Sequence, residues 1–247
     1  MPPEVLGPIL AVAGIVAGAL ASVAGFGIGS LLTPVLALGT GAKLAVAAVA
    51  IPHLVGTLQR FWILRRHVDR RVLLWFGLAS AAGGLAGAIL NAGGTNRALA
   101  VVFGLAVGLA GISELTGWMQ RVHWGRRAAW AAGLASGFLG GLVGNQGGIR
   151  SAALLGFEVP KESFVATATA IALFVDGARV PVYLATQGPE ILAIWPLLLV
   201  ASVGVVVGTA VGATILGGIA ARTFHRVVGL ALLALGLATI AGAVVGG

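Results

Sequence analysis

Seven polar or charged side chains stand inside otherwise apolar stretches of this sequence: His53, Gln59, Asn145, Gln146, Arg150, Asp176 and Arg179. A charged side chain in hydrocarbon costs about 2.5–3.5 kcal/mol even on lenient insertion scales, so each needs a partner or a task. Asp176 and Arg179 are three residues apart and neighbours on one helix face, which allows a local ion pair. Adding Arg150 leaves one cation in excess of that pair. A buried excess cation attracts an anion, and the planar guanidinium fork matches oxyanions. Exposed backbone N–H groups in glycine-rich breaks can add donors to such a site.

His53 follows Pro52, which removes a backbone donor and can bend its helix. A histidine here could carry a proton. A neutral histidine hydrogen-bonded across helices is the simpler role. His53, Gln59, Arg60 and Asp176 are the candidates for coupling or gating. Glu114 lies near a helix end, as solvated or capping acids do.

Other chemistries fit poorly. Ser30 with His53 would be the pair for an intramembrane serine protease, but Gly27-Ile28-Gly29-Ser30 lacks a Gly-x-Ser-Gly order. Four scattered histidines and few carboxylates offer no metal-ligand spacing. There is no phosphate-binding Gly-x-x-x-x-Gly-Lys-[Ser/Thr] loop and no cysteine for thiolate chemistry. The sequence therefore predicts no enzyme, no cofactor and no metal.

The elements that must hold these residues are membrane helices. Of 247 residues, 59% are hydrophobic and 9% charged, against about 25% charged in ordinary soluble domains. The net charge of +8 sits largely in short clusters between apolar runs, Arg65-Arg66-His67-Val68-Asp69-Arg70-Arg71 and Arg121-Val122-His123-Trp124-Gly125-Arg126-Arg127. That is the pattern of cytoplasmic loops, not of a nucleic-acid-binding surface. Apolar stretches run over 6–38, 43–64, 71–91, 97–118, 127–157, 162–186, 190–218 and 224–245. The first lacks a basic flank and carries Glu4, so it is expected to remain in the mature protein rather than act as a cleaved signal. Tyr183 and Trp195 are expected at the outer interface as belt aromatics.

The first and fifth stretches exceed one crossing and are interrupted, at Gly25-Phe26-Gly27-Ile28-Gly29-Ser30 and Gly144-Asn145-Gln146-Gly147-Gly148. An offset of 119 aligns Gly14 with Gly133, Gly18 with Gly137, Gly25 with Gly144, Gly29 with Gly148 and Arg60 with Arg179. An offset of 125 aligns Gly83 with Gly208, Gly87 with Gly212, Arg97 with Arg222, Gly104 with Gly229 and Gly111 with Gly236. The chain reads as two membrane repeats, 1–120 and 121–247, within one integral membrane domain.

Charge decides the topology. If all eight stretches cross once, loop cations divide 8 to 5, with Arg60 among the larger group. If the broken stretches return to the side they entered from, the division is 11 to 2, leaving Lys43 and Arg97 alone. The second arrangement makes the halves inverted repeats, puts loops 65–71 and 121–127 in the cytoplasm and both termini outside. Irregular backbone at membrane depth must line a cavity or be buried in protein, so the two breaks should meet at a central site.

The paired segments Gly14-Ile15-Val16-Ala17-Gly18 to Pro34 and Gly133-Leu134-Ala135-Ser136-Gly137 to Gly148, with Ala168-Thr169-Ala170 and Asp176-Gly177-Ala178-Arg179-Val180-Pro181-Val182-Tyr183, resemble the TauE/SafE sulfite exporters. This group is also called the toluene-sulfonate uptake permease family. The resemblance implies an all-helical, multi-pass carrier of the bacterial inner membrane. Its substrates would be sulfite, sulfoacetate, thiosulfate or similar small sulfur-containing or organic anions, moved by alternating access. Phe26 departs from the family pattern, where a small residue is frequent.

The candidate substrate-binding set is Gly25, Phe26, Gly27, Gly29, Ser30, Gly144, Asn145, Gln146, Gly147, Gly148, Arg150 and Arg179. Partners are the anion, the bilayer and, left open, a second copy of the chain as a homodimer. An anion channel and a non-transporting subunit of a membrane complex are the alternatives. On this reading, Arg150→Ala or Arg179→Ala abolishes anion binding in a protein that still folds; unchanged affinity in both, measured by calorimetry, would contradict it.

Overall fold

A computed structural model describes residues 1–118, 128–144 and 160–216, together with positions 147, 150 and 154 and part of 226–244. Among the described residues all regular structure is helical. In chain order, α1 spans Pro3–Ala24, α2 Ile28–Thr40 and α3 Ala42–Leu64. Then come α4 Arg70–Gly93, α5 Asn96–Thr116, α6 Ala129–Val143, α7 Lys161–Ala193 and α8 Trp195–Leu216. α1, α3, α4, α7 and α8 each contain a stretch long and apolar enough to cross a membrane. α2, α5 and α6 are apolar but offer shorter stretches of 10–17 residues.

The first long stretch breaks at its glycines. Gly25 takes a left-handed conformation, φ 81°, and its N–H closes α1 on the Ala21 carbonyl. Gly27, φ 134°, sits against Leu20 in backbone that a side chain would strain. α2 then returns alongside α1: a Cβ on Gly39 would stand 2.6 Å from Leu6 Cδ2 and 3.6 Å from the Met1 carbonyl oxygen. Gly29 and Ser30, read from sequence as part of the break, instead form the first turn of α2. α6 ends as α1 does. Gly144, φ 73°, caps it with an N–H to the Gly140 carbonyl. Asn145, Gln146 and Gly148 of the second break, and loop 121–127, lie outside the described residues.

One further boundary and one helix interior differ from the sequence reading. α7 runs on to Ala193 through a kink at Gln187 (φ −139°, ψ 19°) just before Pro189, whose ring disfavours helix at the positions preceding it. α4 contains a π-helical turn over Leu73–Gly77, packed at Gly77 against Phe174 and Ile171 of α7.

Small residues let helix backbones touch. α1 lies parallel to α8, with Gly14 on Ala201, Gly18 on Val205 and Gly212 on Ala19. α6 lies parallel to α4, with Gly133 on Phe76, Gly137 on Ser80 and Gly87 on Phe138. The two pairs share one contact map: adding 119 along α1 and subtracting 125 along α8 turns Gly18–Val205 into Gly137–Ser80 and Gly212–Ala19 into Gly87–Phe138. α5 crosses the C-terminal segment antiparallel, with Gly104 against Gly236 and Gly111 against Gly229.

Polar side chains clip the layers at the same places. Ser80 Oγ donates to the Gly133 carbonyl at 3.0 Å, and Asn91 Nδ2 to the Leu142 carbonyl at 3.0 Å. Lys43 Nζ donates to the Ala92 and Gly94 carbonyls at 2.7 and 3.1 Å, tying the start of α3 to the end of α4.

A Cβ on Gly137 would collide with the Ser80 carbonyl oxygen, whereas one on Gly108 meets nothing within 4 Å. Gly137→Ala is expected to destabilise by about 1–3 kcal/mol and Gly108→Ala to be neutral or to stabilise by about 0.5–1 kcal/mol. Thermal denaturation of the detergent-solubilised protein measures both, and equal melting temperatures would contradict the packing described.

Candidate functional site

The two breaks lie against each other. Gly29 packs on the Gly144 carbonyl so closely that a Cβ would collide with it, and the Phe26 side chain fills the space beside Gly147. A small cavity opens at this junction, lined by Gly25, Phe26, Gly27, Gly29, Ser30, His53, Arg60, Gly144, Gly147, Arg150 and Ala172. α2 points its N-terminus into it. The N-cap, Gly27, has no side chain to satisfy the first-turn N–H groups, which are anion donors by position.

Four charged side chains are buried around this junction: Arg60, Arg150 and Arg179 at 3%, 2% and 1% exposure, and Asp176 at 0%. Asp176 is held from two sides. Arg179 donates to its Oδ1 from Nε at 2.9 Å and from Nη2 at 2.8 Å. His53 Nδ1 lies 2.7 Å from its Oδ2. An ionised carboxylate only accepts, so Nδ1 carries the hydrogen. The local ion pair read from the sequence is thus present, and His53 is bonded across helices as its simpler reading proposed.

Arg179 turns its remaining fork inward, Nη1 donating to the Gly140 carbonyl at 2.6 Å, and it does not line the cavity. Tyr183 follows it: one turn on, its hydroxyl donates to the Gly141 carbonyl. Tyr183 is buried, so its placement in an interfacial belt is corrected. A bond to a glycine carbonyl on α6 holds it inside. Trp195 is 59% exposed, as a belt residue would be.

Arg60 and Arg150 do line the cavity. Both are anchored on adjacent residues of α7. Arg60 Nε donates to Thr169 Oγ1 at 2.7 Å, and that hydroxyl donates to the Val165 carbonyl at 2.7 Å. Arg150 Nη1 donates to the Ala168 carbonyl at 2.8 Å. Arg60 Nη1 and Arg150 Nε find no hydrogen-bond partner among the described residues. The placement of Arg60 among the loop cations is therefore corrected: it is a buried residue of α3, one turn inside the end of that helix. With His53 neutral, the cluster holds three cations and one anion.

Gln59 faces the other way, donating from Nε2 to the Val206 carbonyl of α8 at 3.2 Å, and does not line the cavity. Thr169, which positions Arg60, was not picked out as a site residue by sequence reasoning. The only hint was the Ala-Thr alternation over 166–170, which puts two hydroxyls on different sides of α7: Thr169 meets Arg60 of α3, and Thr167 meets the Asp69 N–H ahead of α4. Among the described residues no group of three His, Cys, Asp or Glu could hold a metal ion.

A family model described as sulfite exporter TauE/SafE matches residues 10–239. The chain belongs to the TauE/SafE sulfite exporter family. No curated protein and no solved structure gives a significant match. A TauE/SafE protein is a membrane transporter of the sulfite-exporter type rather than an enzyme, a multi-pass protein of the bilayer that takes a small anionic substrate.

Removing one partner of a buried ion pair leaves an uncompensated charge and costs about 3–5 kcal/mol. Asp176→Ala is expected to lower the melting temperature sharply, and Asp176→Ala with Arg179→Ala to recover part of the loss. A double variant less stable than Asp176→Ala alone, by the same denaturation measurement, would contradict the pairing.

Proposed function

We propose that this TauE/SafE protein is a secondary transporter of small sulfur-containing or organic anions, such as sulfite, thiosulfate or sulfoacetate. The anion sits between Arg60, Arg150 and the N-terminus of α2. The observation that carries the reading is the pair of buried guanidinium N–H groups at one cavity, Arg60 Nη1 and Arg150 Nε, that have no hydrogen-bond partner among the described residues. Two buried guanidinium groups, neither bonded to a carboxylate among the described residues, are costly until an anion joins them. Gly25, Gly27, Gly29 and Gly144 let backbone approach the ligand, while Phe26 and Gly147 wall the site and Ser30 adds a hydroxyl. By sequence, Asn145, Gln146 and Gly148 belong to the second break and remain candidates for the same site. Arg179 with Asp176 braces the walls rather than touching the anion.

The movement is alternating access between two inverted repeats, 1–120 and 121–247. Supporting this are the shared contact map of α1 with α8 and α6 with α4, and the antiparallel crossing of α5 with the C-terminal segment. A two-fold axis along the membrane normal would make such equivalent helices parallel; an axis in the membrane plane makes them antiparallel. With Arg60 taken out as a buried helix residue, the loop cations divide 10 to 2, which favours loops 65–71 and 121–127 on the cytoplasmic side of a bacterial inner membrane and both termini outside.

A hydrogen bond to a charged group contributes about 1.5–3 kcal/mol, so Arg60→Gln and Arg150→Gln should each weaken anion binding about 10- to 100-fold. Sulfite flux into proteoliposomes, with sulfate, thiosulfate, sulfoacetate and taurine as competitors, is expected to saturate and to show counterflow. Both variants should fold and lose it. Flux that never saturates would make the protein a channel; a purified protein that neither binds nor moves any of these anions would be an assembly subunit.

A further inference from the structure

We propose that Nε2 of His53 is a proton-binding site that loads together with the anion, making a proton the co-substrate of transport. The inference rests on the anion site above and adds to it a second ligand.

Among the described cavity residues His53 is the one with a side-chain nitrogen that can gain a proton, and it shares the cavity with Arg60 and Arg150. Its two ring nitrogens have different fates. Nδ1 is committed to Asp176 Oδ2 at 2.7 Å, and Asp176 is itself held by Arg179, so the ring cannot turn without breaking that chain. The opposite edge faces the breaks: Cδ2, the carbon bonded to Nε2, lies 3.9 Å from where a Cβ on Gly29 would stand, at the first turn of α2. Nε2 therefore keeps its lone pair on the side where the anion is held.

The charged groups around this ring are Asp176 and Arg179 on α7, Arg150 in the segment following α6, and Arg60 on its own helix. α2 contributes no ionisable group. A proton taken from water onto Nε2 makes an imidazolium, a further cation beside Arg60 and Arg150, and an anion in the cavity is its counter-charge. Each ligand then favours the other's binding by the same factor, because coupling between two sites is reciprocal. Reorientation of the loaded site would carry both across, and loss of either would release the other. Asp176 is not the proton carrier in this scheme. It fixes the tautomer so that the free lone pair points to the cavity.

Calorimetric titration of the purified full-length protein with sulfate and with thiosulfate, in paired buffers of different ionisation enthalpy, counts protons taken up per anion bound. Neither anion takes up a proton near neutral pH, so any proton counted belongs to the protein. The wild type is expected to take up about one proton per anion, with affinity rising as pH falls. His53→Gln is expected to lose the uptake and the pH dependence of affinity. Anion binding without proton uptake in the wild type would overturn the proposal and leave the anion site standing, as would uptake that persists in His53→Gln. The wild-type count decides the matter if the variant does not fold. Failure of both anions to bind would remove the anion site, and the proton site with it.

Discussion

The buried carboxylate of Asp176 is the interaction on which the remaining charges depend. Among the described residues it is the only acid in the interior, surrounded by Arg179, His53 and, further off, Arg60 and Arg150. In a bundle with little water, each of those cations would be expensive alone. Through His53 the carboxylate fixes α3 to α7; through Arg179 and its bond to Gly140, it fixes α7 to the last turn of α6. Tyr183 repeats that tie one carbonyl further on. The helix ends that form the breaks are thus set by a polar frame rather than by apolar packing alone.

That frame is lopsided. Arg60 and Arg179 occupy equivalent positions at the 119-residue offset, and each has a partner position three residues earlier: Asp176 before Arg179, Thr57 before Arg60. The acid satisfies Arg179. Thr57 offers Arg60 no negative charge, and its Oγ1 is without a hydrogen-bond partner among the described residues, as is Arg60 Nη1. One arginine is consumed in structure while the corresponding one is left with donor capacity at the cavity. Close glycine contacts between α1 and α8 and between α4 and α6 hold this arrangement with little room for adjustment.

Much of this was legible from residues and spacing. Hydropathy placed α3, α4 and α5 within a few residues, because long apolar runs have only one stable form in a bilayer. Gly25 and Gly144 announced the breaks since both end a helix in left-handed backbone. The three-residue spacing of Asp176 and Arg179 announced their pairing. What failed did so for physical reasons. Arg60 stands five residues before the Arg65-Arg66 pair, and proximity in sequence to a loop says nothing about which helix face it occupies. Tyr183 near a helix end has the same amphipathic character in a belt or against a buried carbonyl, and only the tertiary fold distinguishes them. The hydrogen bonds of Arg60 to Thr169 and of His53 to Asp176 join residues more than a hundred positions apart, beyond any local pattern.

The central claim, that an anion is held by Arg60 and Arg150 at the junction of the breaks, is tested most directly by anomalous scattering from crystals of the protein grown with selenate or selenite. The account requires a selenium peak in the cavity, with anion oxygens within hydrogen-bond distance of Arg60 Nη1 and Arg150 Nε. A peak at Arg179, or an empty cavity at concentrations that saturate binding in solution, would contradict it.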